Sequence, residues 1–124
     1  MIPLSLDQVL HLHDLNIKHF GGSSGVRDQG LLESALAQPF LSAFGEERYV
    51  GLFQKAAAYW YFLARNHPFI DGNKRTALTT ALVFLQMHGI KIQTSKTLED
   101  TAVEVATGAH SMEAMASLLE VWQK

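Results

Sequence analysis

Apolar residues return at helical spacing along most of the chain, with glycine, proline and hydroxyl residues between the runs. Leu6, Val9, Leu10, Leu15 and Ile17 form the imperfect stripe of a first helix over residues 5 to 19. Ser5, with Gln8 three residues on, has the capping-box spacing. Phe20-Gly21-Gly22-Ser23-Ser24-Gly25 breaks that helix, since glycine pairs permit backbone angles that other residues avoid. Asp28 is placed to cap a short second helix through Gln38, with Leu31, Leu32, Ala35 and Leu36 inward. Pro39 stops it. Residues 40 to 48 carry no clear period and read as an exposed loop or short hairpin. There Phe44, beside Gly45, is placed to cover a site or dock a partner, although packing back on the core is the favoured reading of a single loop aromatic.

Two stretches are apolar nearly all round, which marks interior helices. Residues 49 to 65 hold Tyr59, Trp60, Tyr61, Phe62 and Leu63, and Ala56-Ala57-Ala58 favour the helix and allow close approach. The second, about residues 73 to 88, holds Ala77, Leu78, Ala81, Leu82, Val83, Phe84 and Leu85. Its Thr76, Thr79 and Thr80 can bond back to carbonyls or face a site. Gly89 is a left-handed stop. Lys91-Ile92-Gln93 is an extended connector. Thr97 is expected to cap a helix from Leu98 to about Thr107, ended by Gly108, and Ser111 a last helix from Met112 to about Trp122. The pattern predicts an all-α bundle of about six helices with short connections. Its 124 residues fit one domain, 1–124.

Composition narrows the function. A hydrophobic share of 48% supports a core and argues against disorder. Net charge is -2 and the pI about 6.3, so no global basic footprint exists and direct nucleic-acid binding is not expected. With no cysteine, disulfides and thiolate zinc sites are excluded. The N-terminal residues lack the pattern of a signal peptide, and no apolar run is long enough to span a membrane. A soluble, cytoplasmic domain is the expectation.

Candidate chemistry is concentrated at His67-Pro68-Phe69-Ile70-Asp71-Gly72-Asn73-Lys74-Arg75-Thr76-Ala77, which runs into the second interior helix. A helix N-terminus carries unpaired N–H groups and a partial positive charge, so Gly72-Asn73 ahead of a helix makes an anion cradle. Lys74 and Arg75 fall in the first turn, where the dipole disfavours cations by up to about 1 kcal/mol each. A di- or triphosphate would offset both. Asp71 reads as a magnesium ligand, as an N-cap, or as both. Asn73 is placed to fix the loop or a phosphate through its amide, or to serve as an ordinary turn residue. Histidine is the side-chain type suited to proton transfer near neutral pH, so His67 is the candidate to deprotonate an attacking hydroxyl. Phe69 and Ile70 are expected to pin the loop to the core.

The stretch His67 to Arg75 resembles the Fic/Doc (Fido) signature, and Asn73-Lys74-Arg75-Thr76-Ala77 resembles its Doc branch, the death-on-curing toxins. His13-Asp14, Phe20-Gly21-Gly22, Gly25-Val26-Arg27-Asp28 and Leu31-Leu32-Glu33-Ser34-Ala35 are similar to the Doc N-terminal region. Tyr59-Trp60, Leu82 to Gly89 and Ala106-Thr107-Gly108 extend the resemblance over nearly the whole chain. The resemblance implies a helical Fido fold and nucleotide-dependent transfer to a protein hydroxyl. It implies His67 as general base, Asp71 as Mg²⁺ ligand, and Gly72, Asn73, Lys74 and Arg75 as holders of nucleotide phosphates. It also implies target docking by the loop at about residues 40 to 49, with Phe44 and Gly45 at its centre.

Two positions depart from the broader Fic pattern. Lys74 stands where Fic enzymes carry a second glycine, and Leu78 where they carry a second arginine that grips the far phosphate. Doc-branch proteins share both departures, which implies a reversed nucleotide and transfer of the terminal phosphoryl group of ATP rather than of AMP. Lys74 adds a charge that suits that transfer. The self-inhibitory pattern of some Fic proteins is incomplete at Ser42 to Glu46 and at Ser95 to Glu99, so restraint by a separate, cognate antitoxin is expected. The resemblance points to a target in the translation apparatus. Competing readings are a zinc site and a non-catalytic module that binds nucleotide or antitoxin. His11 and His13 are two apart on a helix and point to different sides, and no HExxH exists. His11, His13, His19, His88 and His110 are expected to be mostly solvated or structural.

Overall fold

A computed structural model of the chain describes residues 1–105 and 111–124. Six α-helices follow one another: α1 Leu6–Phe20, α2 Gln29–Ala37, α3 Leu52–Asn66, α4 Asn73–Met87, α5 Lys96–Val105 and α6 Met112–Val121. The all-α expectation holds, with one small addition: a hairpin of β1 Ser42–Ala43 and β2 Glu46–Glu47 lies between α2 and α3. At its tip Phe44 and Gly45 both have positive φ, 54° and 79°, the backbone of a two-residue hairpin turn whose twist matches its strands.

Helix ends follow the local chemistry. Ser5 and Gln8 close the capping box of α1, and Asp28 and Ser111 cap α2 and α6. Three boundaries differ from the pattern-based reading. Pro39 does not end α2 abruptly but sits in a 3-10 turn over Gln38–Phe40, which proline's fixed φ permits. Gly51 precedes α3, so Tyr49 and Val50 stay outside it and the Tyr49 carbonyl is free to accept from Lys55. α5 begins at Lys96 because Ser95, rather than Thr97, caps it: Ser95 Oγ accepts from the Leu98 N–H at 3.1 Å. Ala106-Thr107-Gly108 and His110 lie outside the described residues.

α3 and α4 form the centre, packed on each other more extensively than any other pair. α2 and α6 lean on α3, while α1 and α5 lean on α4. Trp60, Tyr59, Leu63, Leu78, Phe84 and Leu85 fill the space between, all fully buried. Burying a side chain of this size contributes about 1.5–3 kcal/mol, so this seam dominates the core. The Leu4 N–H donates to Tyr59 Oη at 3.0 Å and ties the N-terminal segment to the seam, and burial pushes the Tyr59 phenol up to about 12. His88, just past the end of α4, does the same, donating Nδ1–H to the Phe84 carbonyl at 2.8 Å and accepting the Ile2 N–H on Nε2 at 2.8 Å.

One buried cation was invisible in the hydrophobic pattern. Lys55 on α3 is 0% exposed, yet its ammonium donates to the Pro39 and Tyr49 carbonyls, pairs with Glu47 at 3.3 Å and faces the Phe40 ring at 4.9 Å. A buried ammonium is tolerated only when so satisfied. It fastens the hairpin base to α3.

Candidate active site

The loop between α3 and α4 is shaped by its own sequence. α3 stops at Asn66, and His67 follows in the left-handed region at φ 47°. Such a backbone costs a non-glycine residue on the order of 1–3 kcal/mol unless its surroundings hold it. Pro68 and Phe69 are buried, and Ile70 is exposed. The expectation that both Phe69 and Ile70 pin the loop therefore holds for Phe69 alone. Phe69 lies face to face with the buried His13 ring of α1, centroids 3.9 Å apart and planes 5° apart. His13 Nε2–H also donates to the Asp71 carbonyl at 2.7 Å, so this histidine is structural, as expected, and it is the floor of the loop.

Asn73 closes the loop on itself. Its Oδ1 accepts the Phe69 N–H at 2.8 Å, and its Nδ2 donates to the Phe69 carbonyl at 2.9 Å. The amide thus satisfies both main-chain groups of a buried residue. Among the readings of Asn73, the geometry realises the loop-fixing one.

Asp71 is not the N-cap of α4. Gly72 occupies that position at φ 74°, and no side chain caps the helix. A carboxylate at the cap would quench the first-turn N–H groups; its displacement leaves them open to an anion. Asp71 turns back instead: Oδ1 accepts the Gly72 N–H at 2.9 Å and Oδ2 the Ser23 N–H at 3.2 Å. Each oxygen has a further lone pair, and the side chain is exposed. A carboxylate oriented by two backbone N–H groups, beside an open helix N-terminus, fits a hard cation shared with phosphate oxygens. Among the described residues no cluster of three or more His, Cys, Asp or Glu is placed to hold a metal, so phosphate and water would complete such a shell.

The glycine-rich turn after α1 does more than break that helix. A Cβ on Gly22 would lie 2.7 Å from Asp71 Oδ2, and Gly22 has φ 118°. Only glycine lets this turn approach the carboxylate. Gly22→Ala is therefore expected to push Asp71 aside and, with Asp71 as the expected Mg²⁺ ligand, to raise the Mg²⁺ concentration for half-maximal activity by about 10–100-fold, the usual cost of disturbing a ligand's support. A metal titration of the variant checks this; an unchanged midpoint would detach Gly22 from the metal.

The two first-turn cations behave differently. Arg75 Nη2 pairs with Asp100 of α5 at 2.5 Å, and its guanidinium covers the Phe20 ring at 4.2 Å. Arg75 and then Lys96, which is 3.2 Å from the other oxygen, hold the Asp100 carboxyl below its ordinary value. Part of the Arg75 charge is thus offset within the chain, by Asp100. Lys74 has no hydrogen bond or ion pair among the described residues, and it is half-buried beside the open N-terminus. Leu78, one helical turn after Lys74, is 1% exposed and belongs to the core.

Phe44 and Gly45 stand apart at the hairpin tip. Phe44 is fully exposed, which overturns the reading that it packs on the core: the positive-φ turn turns its side chain outward. Nothing lies within 4 Å of a Cβ built on Gly45. The pattern of the chain gives no role in the site to Gly22, Ser23, Phe20, Arg27 or Asp100. The Gly21-Gly22 doublet was the available signal, since a turn needing two glycines often needs room for something.

The exposed His67, the braced Asp71 and the uncapped start of α4 all fall within residues 3–85, the stretch of sequence that matches the model of the Fic/DOC family. The chain belongs to that family. It is 37% identical over 119 residues to "Protein kinase doc" of Escherichia phage P1, covering 96% of this chain and 94% of that protein. It is 42% identical over 103 residues to "Toxin Doc" of Mycolicibacterium smegmatis, covering 81% of this chain and 79% of that protein.

Proposed function

We propose that this chain is a Doc-like toxin that transfers the terminal phosphoryl group of a nucleoside triphosphate, ATP in the first instance, to a hydroxyl of a target protein. The observation that carries the reading is the open N-terminus of α4, with Lys74 beside it and position 78 turned into the core. An arginine gripping a far phosphate has no place at a buried position 78, which favours phosphoryl over AMP transfer. The names of the two relatives support the same reading. The target is proposed to belong to the translation apparatus and the restraint to come from a cognate antitoxin. The site of action is proposed to be the cytoplasm; no helix among the described residues is long and apolar enough to cross a membrane.

In this reading His67 takes the proton of the target hydroxyl. The oxygen bonds to the γ-phosphorus as the bond to the β–γ bridging oxygen breaks, and ADP leaves. Lys74, Arg75 and the open first-turn N–H groups from Asn73 onward hold the phosphates and stabilise charge on the transferring group, and Gly72, which has no side chain, lets them approach the backbone. Mg²⁺ held by Asp71 would neutralise phosphate charge. The reaction is tested by incubating the protein and a cell lysate with Mg²⁺ and ATP labelled at the γ- or the α-phosphate. Label from γ alone is the expected result. Label from α alone would establish AMP transfer, and nucleotide binding without transfer would establish a binding module.

A further inference from the structure

The end of α3 poses a problem that the helix cannot solve itself. The last carbonyls of any helix lack intrahelical partners. The usual remedy is a left-handed residue followed by backbone N–H groups that fold back onto those carbonyls. Here the left-handed residue is His67, and the next residue is Pro68, which has no N–H to fold back. The donor must come from elsewhere in the chain.

It comes from Arg27. Its Nη2 donates to the Asn66 carbonyl at 2.9 Å and its Nε to the His67 carbonyl at 2.7 Å. Its main-chain N–H donates to the Pro68 carbonyl at 2.7 Å. One residue therefore holds three consecutive carbonyls with His67 in the middle. The neighbours extend the clamp: the Asp28 N–H also reaches the Pro68 carbonyl at 3.0 Å, the Ile70 N–H reaches the Gly25 carbonyl at 3.1 Å, and Val26 bridges Phe69. Guanidinium chemistry suits this place. Nε and Nη2 share one rigid edge, which matches two adjacent acceptors, and a cation is favoured at a helix C-terminus.

We infer that Arg27 is a positioning residue for His67, fixing the backbone from which the imidazole reaches the reacting hydroxyl. The inference rests on the general-base role of His67 proposed above. Arg27 itself is exposed, so its removal takes little packing with it. What it removes is, among the described residues, the one side chain bonded to the His67 carbonyl. Freed of it, the left-handed turn relaxes and the ring loses its aim. Nucleotide is bound by other residues, so affinity for ATP is unaffected.

The test compares Arg27→Ala, Arg27→Gln and Arg27→Lys with the wild type and with His67→Asn. Three quantities are read on the full chain: the rate of γ-label transfer from ATP into lysate proteins, the ATP concentration giving half that rate, and the NMR signal of the His67 ring. Arg27→Ala is expected to slow transfer on the order of 10²-fold, the scale of a misplaced catalytic group, with the ATP midpoint unchanged and the His67 signal shifted or broadened. Arg27→Lys, which keeps the charge but reaches one carbonyl, recovers part of the rate, whereas neutral Arg27→Gln recovers less. If Arg27→Ala does not fold, the Lys and Gln variants decide by the same readouts. A wild-type rate and an unchanged His67 signal in a folded Arg27 variant, with His67→Asn inactive, would overturn the positioning role alone. A raised ATP midpoint at unchanged maximal rate would overturn it too, making Arg27 a binding residue. A fully active His67→Asn would instead sink the general-base reading, whatever Arg27 does.

Discussion

His67→Asn is expected to lower phosphoryl transfer by about 10²–10⁴-fold, the contribution of a positioned general base, with the thermal midpoint nearly unchanged. The two halves of that expectation have separate physical origins. Stability is spared because the imidazole is exposed and packs on nothing that the core needs. Asparagine is the replacement of choice because His67 sits at φ 47°, a region that asparagine enters more readily than alanine. The Arg27 clamp on the His67 carbonyl is a main-chain contact and survives the change. Activity is lost because the amide that replaces the imidazole is no base. In cells, His67→Ala is expected to abolish growth arrest. A variant that folds, binds ATP and still transfers at the wild-type rate would remove His67 from the chemistry and leave substrate positioning to carry the reaction.

The sequence announced this loop more clearly than it announced what supports it. Helices α3 and α4 were legible because an all-round apolar pattern has one physical meaning, burial. His67, Asp71 and the Gly72-Asn73 turn were legible because unusual residue types crowd a predicted helix start. The supports were not, since each depends on contacts across the chain. His13 reaches Asp71 and Phe69 from 58 and 56 residues away, and Arg27 reaches His67 from 40. No periodicity encodes such pairs. The same holds for Asp100, which balances Arg75 from 25 residues away on a helix whose start was read two residues late. The burial of Lys55 is illegible for a further reason: a lone lysine in an apolar helix normally reaches for solvent, and here it finds carbonyls instead.

These supports surround one side chain whose loss tests the whole arrangement. Asn73→Ala deletes both bonds to Phe69 and leaves a buried N–H and a buried carbonyl without partners. Each costs about 1–3 kcal/mol when left unmet. For a chain of this length the sum lowers the thermal midpoint by roughly 6–20 °C. Function falls with the fold, because Phe69 lies on His13 and is chained to Asp71 and the start of α4. Loss of the amide loosens the Asp71 and Gly72 backbone at the proposed phosphate site. Affinity for ATP should therefore drop together with stability, and cooling should restore part of both. Calorimetry and ATP titration at two temperatures read the result. An unchanged thermal midpoint with weakened ATP binding would mean that the amide leaves Phe69 to grip a phosphate. A lowered midpoint with undiminished affinity in the folded fraction would mean that the helix N-terminus holds its shape without the bridge. The two bonds at Phe69 use one of the two Nδ2 donors and one Oδ1 lone pair, so the second Nδ2–H is the donor a phosphate would take if the amide served both.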